Sequence, residues 1–99
     1  MLVMFDLPVG SKRAKTDYRR FRDFLQDDGF AMLQYSVYGR HCATRESADA
    51  HAARVRFALP PAGEVRILRV TEAQYARMEV FRNFERRHPE PAPAVLELW

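Results

Sequence analysis

The first apolar run, Leu2-Val3-Met4-Phe5, is continuous rather than alternating and ends in a lone carboxylate, Asp6, ahead of Leu7-Pro8 and Gly10. A run without alternation predicts a strand covered on both faces, with Asp6 partly desolvated at its exit. The period then changes. Ala14, Tyr18, Phe21 and Leu25 recur at helical spacing, which predicts a helix over 12–28 with Ser11 as N-cap and Gly29 just past its end. The stretch 30–43 is rich in strand formers and too long for one ordinary strand, so it predicts a bend or tight hairpin near 34–36. Phe30, Met32 and Tyr38 then face one side, and Ala31, Leu33, Tyr35 and Val37 the other. Both sides are apolar. That predicts helices over one face and another subunit over the other.

A second helix can start at Thr44 or Ser47, with Ala48, Ala52, Val55 and Leu59 along one face, and Pro60-Pro61-Ala62-Gly63 stops it. The stretch 64–70 reads as a strand with Val65 and Ile67 on one face and Leu68 and Val70 on the other. Thr71-Glu72-Ala73-Gln74 has the pattern of a capping box opening a short helical turn. The stretch 77–84 fits continued helix, or a strand through Met78-Glu79-Val80-Phe81. Pro89, Pro91 and Pro93 make an extended linker before the apolar end Val95-Leu96-Glu97-Leu98-Trp99. The order strand, helix, two strands, helix, strand predicts the α+β class: a ferredoxin-like βαββαβ plait over 1–88, with 89–99 as linker and tail. That fold hosts many functions and decides none.

Ninety-nine residues, 47% of them hydrophobic, support one folded domain that would gain from oligomerisation. No apolar stretch approaches the ~20 residues of a membrane span, and no signal peptide precedes the first strand. The single cysteine, Cys42, leaves no internal disulfide and fits a cytoplasmic location. His41, Cys42, His51 and His88 lack paired ligand spacing, which speaks against a four-ligand zinc site and for surface or strand positions.

The net charge is +3 and the pI about 9.4, and the basic side chains are Arg except at Lys12 and Lys15. Arg presents a planar fork suited to phosphate, which points towards a nucleic-acid partner. Lys12, Lys15, Arg19 and Arg22, with Arg13 beside them, form a stripe on the first helix apart from its apolar face. Asp23, Asp27 and Asp28 crowd the other end, where the helix dipole disfavours them. The positive charge therefore lies at the end nearer Asp6. It reads either as a solvated face or as a phosphate-binding one. Asp6 is a fixed carboxylate of the kind a divalent metal acting on phosphodiesters needs. It is equally a residue that caps the turn before Pro8. Ser36 beside Tyr38 can hold a phosphate or the attacking water, or serve as a plain turn hydroxyl.

Several blocks resemble the small CRISPR-associated "Cas two" proteins: Val3-Met4-Phe5-Asp6-Leu7-Pro8-Val9, Gly29-Phe30 with Met32-Leu33-Gln34, Ser36-Val37-Tyr38, and Val70-Thr71-Glu72-Ala73-Gln74-Tyr75. The first and last look most like members from type II systems, those with the single large RNA-guided effector nuclease. The resemblance implies a ferredoxin-like homodimer in which the Asp ending the first strand, here Asp6, is the catalytic residue and the Mg²⁺ ligand. It implies endonuclease activity on RNA or DNA, and a bridging role between dimers of the CRISPR-associated integrase during spacer acquisition. In that role the stripe of Lys12, Arg13, Lys15, Arg19 and Arg22 would meet duplex DNA, or single-stranded RNA, by its backbone. It also implies a fifth strand over 77–83 that pairs with the other subunit's sheet. Val95, Leu96, Leu98 and Trp99 then suit strand addition to the integrase, although the tail can equally fold back on its own domain. An RNA-recognition module is the other reading, because Gly29-Phe30-Ala31-Met32 faintly echoes the aromatic stacking motif of that fold.

Overall fold

The apolar run of the N-terminus becomes the central strand of an antiparallel sheet. A computed structural model describes residues 1–83 and, for the backbone alone, 85–87. Its elements are β1 (Leu2–Asp6), α1 (Lys12–Asp27), β2 (Ala31–Gln34), β3 (Val37–Gly39), α2 (Arg45–Phe57), β4 (Glu64–Leu68), α3 (Glu72–Ala76), β5 (Val80–Arg82) and β6 (Glu85–Arg87). The first four strands form one sheet in the order β2-β3-β1-β4, antiparallel throughout. This is the ferredoxin-like arrangement. The tail residues Val95, Leu96, Leu98 and Trp99 lie outside the described residues, as does His88.

Local chemistry sets most of the boundaries. The Ser11 hydroxyl accepts from the Ala14 amide at 3.1 Å and opens α1. Gly29, at φ +88°, ends it. Thr44, rather than Ser47, caps α2, its hydroxyl accepting from the Ser47 amide at 3.0 Å. At α3 the capping box closes both ways, with Thr71 Oγ1 accepting from the Gln74 amide at 3.0 Å and Gln74 Oε1 accepting from the Thr71 amide at 2.9 Å.

The core lies between the sheet and α1 and α2. Val3 and Phe5 of β1, Leu7 beyond it, Tyr38 of β3, Phe21 and Leu25 of α1, Val55 of α2 and Phe30 are all buried. The Phe5 ring stands edge-on to Phe21, with centroids 5.2 Å apart, and stacks on Tyr38 at 5.7 Å. Burial, with the nearby Tyr18, pushes the Tyr38 phenol above its ordinary pKa.

Four expectations need correction. Met32 pairs across from Tyr38 yet is 59% exposed, because β2 is the sheet edge and its outer side chains extend past the core. The strand expected over 64–70 ends at Leu68. His51 occupies neither a surface nor a strand. It is buried in α2, with Nδ1 2.7 Å from Asp28 Oδ2. At 77–84 the strand alternative holds, but the strand is shorter and later than Met78–Phe81, at Val80–Arg82. After α3, Arg77 caps the turn, β5 spans three residues, and Asn83 at φ 55° turns the chain into β6, with Val80 opposite Arg87 and Arg82 opposite Glu85. The fifth strand thus has a partner within its own chain.

Among the described residues, helices cover only one face of the sheet. On the other, Leu2, Met4, Leu33 and Val37 line a cleft of about 420 Å³ whose far wall is Met78, Val80, Phe81 and Arg82. Among the described residues no helix is long and apolar enough to cross a membrane.

Candidate metal and phosphodiester site

Strand alternation decides where Asp6 points. Val3, Phe5 and Leu7 face the helices, so Leu2, Met4 and Asp6 take the opposite face. Asp6 is solvent-exposed in the single chain rather than partly desolvated, because no helix among the described residues covers that face. Its backbone is nonetheless held on both sides. Asp6 pairs with Glu64 of β4, and the preceding Phe5 amide donates to the Ser36 carbonyl at 3.0 Å.

Gly63 lets β4 start where it does. Its φ is +100°, and a Cβ there would sit 2.7 Å from both the Asp6 carbonyl oxygen and Leu7 Cδ2. Only glycine permits that approach.

Residues directly opposite across antiparallel strands project to the same face. Glu64 therefore joins Asp6, and the two line a cleft of about 260 Å³ with Met4, Phe5, Tyr35, Ser36, Val37 and Arg66. Arg66 Nε donates to Glu64 Oε1 at 2.7 Å, and that bond raises the guanidinium pKa further. The Ser36 hydroxyl lies 3.3 Å from the Tyr18 phenol oxygen, within its own turn and packed to α1.

The sequence pointed to Asp6 and Ser36 and missed Glu64 and Tyr35. Alternation put Val65 and Ile67 on one face and so placed Glu64 and Arg66 on the other. The register that sets Glu64 against Asp6 joins distant parts of the chain and leaves no local mark. Asp6 and Glu64 are oxygen ligands of the kind a hard cation takes, with Glu64 also accepting from Arg66. Among the described residues no three or more metal-binding side chains gather in one place. His41, His51 and Cys42 are dispersed: His41 Nδ1 pairs with Glu72 Oε1 at 3.1 Å, His51 is held by Asp28, and Cys42 is a half-buried free thiol.

The basic stripe begins six residues after Asp6, at the start of α1. Lys12, Arg13, Lys15 and Arg19 are exposed. Arg22 differs, being half-buried and paired with Asp23 at 3.2 Å. The echo of an RNA-stacking motif has another explanation. Phe30 is 3% exposed and packs edge-on to His51, so its ring meets no base.

The CRISPR associated protein Cas2 family matches residues 1–78, which includes every residue of this cleft. The chain is 42% identical over its whole length to the CRISPR-associated endoribonuclease Cas2 of Parvibaculum lavamentivorans, covering 98% of that protein. It is 50% identical to the protein of the same name from Lacticaseibacillus rhamnosus, over 79% of this chain and 77% of the other. With that of Acidovorax ebreus the identity is 49%, over 81% and 78% of the two chains.

Proposed function

The chain belongs to the CRISPR associated protein Cas2 family, and on that premise we propose that it is a Mg²⁺-dependent endonuclease acting on phosphodiesters through Asp6. The observation that carries this reading is the placement of Asp6, fixed at the end of the central strand and directly opposite Glu64 on an open sheet face. Two carboxylates per chain would hold the ion better than one. When bound, Mg²⁺ supplies charge stabilisation at a phosphoryl oxygen and a more acidic water. The protein's own part is to hold both acids in one register, keep the cleft open to a strand, and present cations at the start of α1 to the flanking phosphates.

A homodimer completes the reading. Beside the Asp6 cleft the helix-free face carries Leu33 and Leu68, with Phe81 across from them, an apolar surface suited to a second copy. Two such subunits would display two basic stripes to a DNA duplex and act as the bridge between integrase dimers in spacer acquisition. That architectural role draws on shape and on the stripe, and leaves the Asp6 charge unused.

Asp6→Asn separates the two roles. The expected result is loss of Mg²⁺-dependent cleavage of RNA and DNA to background, with an unchanged circular dichroism spectrum and unchanged duplex binding. Glu64→Gln should weaken Mg²⁺ binding by about tenfold in calorimetric titration. Cleavage undiminished in Asp6→Asn would remove Asp6 from the reaction, and integration lost together with cleavage would merge the two roles.

A further inference from the structure

Tyr35 is 86% exposed, in the turn between β2 and β3, and yet it lines the same cleft as Asp6, Ser36, Glu64 and Arg66. The turn beneath it is tied down. Ser36 adopts a left-handed φ of 62°, its carbonyl accepts from the Phe5 amide at 3.0 Å, and its hydroxyl meets the Tyr18 phenol at 3.3 Å. These bonds fix the turn to β1, one residue from Asp6, and to α1. A phenol ring left in water forgoes the stabilisation that burial would give it. A short turn is served as well by small polar residues. The ring thus stands on a rigid support, beside a charged cleft, with its faces open. Every nucleobase has a π-face that such a ring can take, whatever its identity.

We propose that Tyr35 is the base-stacking residue of this site, receiving the face of an unpaired nucleobase whose neighbouring phosphate lies over Asp6. The inference deepens the nuclease reading and rests on it, because it takes the Asp6 cleft to be where a polynucleotide lies. A base stacked within a duplex has no free face to offer. Tyr35 therefore biases the cleft towards strands with at least one base unstacked.

The test is binding without cleavage. A labelled single-stranded RNA oligonucleotide is titrated with full-length Asp6→Asn protein in EDTA and followed by fluorescence anisotropy. Tyr35→Ala in that background should weaken binding by about 5- to 100-fold, while Tyr35→Phe and Tyr35→Trp stay within about twofold. Probes carrying one abasic position at a time add a signature that a structural role would not give. One position should cost affinity with Tyr35 present and cost nothing with Ala there. Equal affinity of Tyr35→Ala, an abasic penalty that persists in it, or no binding of the probe at all would each overturn the proposal. So would a change of oligomeric state in Tyr35→Ala by sedimentation, which would assign the ring to a subunit contact. The nuclease reading fails by a different result, cleavage undiminished in Asp6→Asn, and the binding series is unaffected by that outcome.

Discussion

Asp28 occupies the C-cap of α1, where the partial negative charge of the helix end opposes a carboxylate. Its tertiary partners explain it. His51 Nδ1–H donates to Oδ2 at 2.7 Å and Arg54 Nε to Oδ1 at 2.9 Å, so one acid joins the end of α1 to the middle of α2. The His51 and Asp28 side chains are only 8% and 11% exposed, and a buried donor left without an acceptor is costly. Asp28→Ala should therefore destabilise the protein by about 1–3 kcal/mol, lowering the melting temperature by roughly 4–8 °C per kcal/mol for a domain of this size. In a His51→Phe background the same change should cost less, since no ring nitrogen then needs an acceptor. Equal costs in the two backgrounds would show that the pair is not coupled. The sequence displayed the unfavourable charge at the helix end. It held no sign of the partner that answers it.

The basic stripe on α1 runs along the helix apart from its apolar face. Its period is a property of the helix, and the exposure of Lys12, Arg13, Lys15 and Arg19 follows from the apolar face on the other side. Replacing Lys12, Lys15 and Arg19 by Ala should weaken duplex DNA binding. It should also reduce the slope of log affinity against log salt by about 0.9 for each phosphate that the variant no longer neutralises. An unchanged slope would move the duplex to another face of the molecule. Elements with caps and strong periods were legible in advance, namely α1, α2, α3 and the hairpin turn at 34–36. The β5–β6 hairpin was not. Its strands are three residues each, and Arg82, Glu85, Arg86 and Arg87 carry no alternation by which to find it.

On the scale of the whole molecule the uncovered sheet face dominates. Leu33 and Val37 are half-buried and Leu68 is 46% exposed there, while Phe81 across the cleft is 58% exposed. A 99-residue chain has little other core to add. The expected species is a two-fold dimer burying on the order of 2,000 Å² or more. Sedimentation showing a monomer at micromolar concentration would overturn it. The sequence announced this face through its two-sided apolar strands. Asp6 was legible for a related reason, since an acid at the end of an apolar run stands out from its neighbours. Glu64 and Tyr35 became part of the site only through pairing between segments far apart in the chain, and composition does not encode that pairing.

The pairing of Asp6 with Glu64 also orders events in time. β1 is made before β4, and both long helices are made between them. The two carboxylates meet when the late strand docks on the early one, a pairing of high sequence separation of the kind that forms slowly. A growing or truncated chain that stops short of β4 thus carries Asp6 without its opposite acid. Docked one residue out of step, β4 would swing Glu64 towards the core and Val65 towards the cleft. The facing pair of acids therefore exists only in the correctly registered sheet.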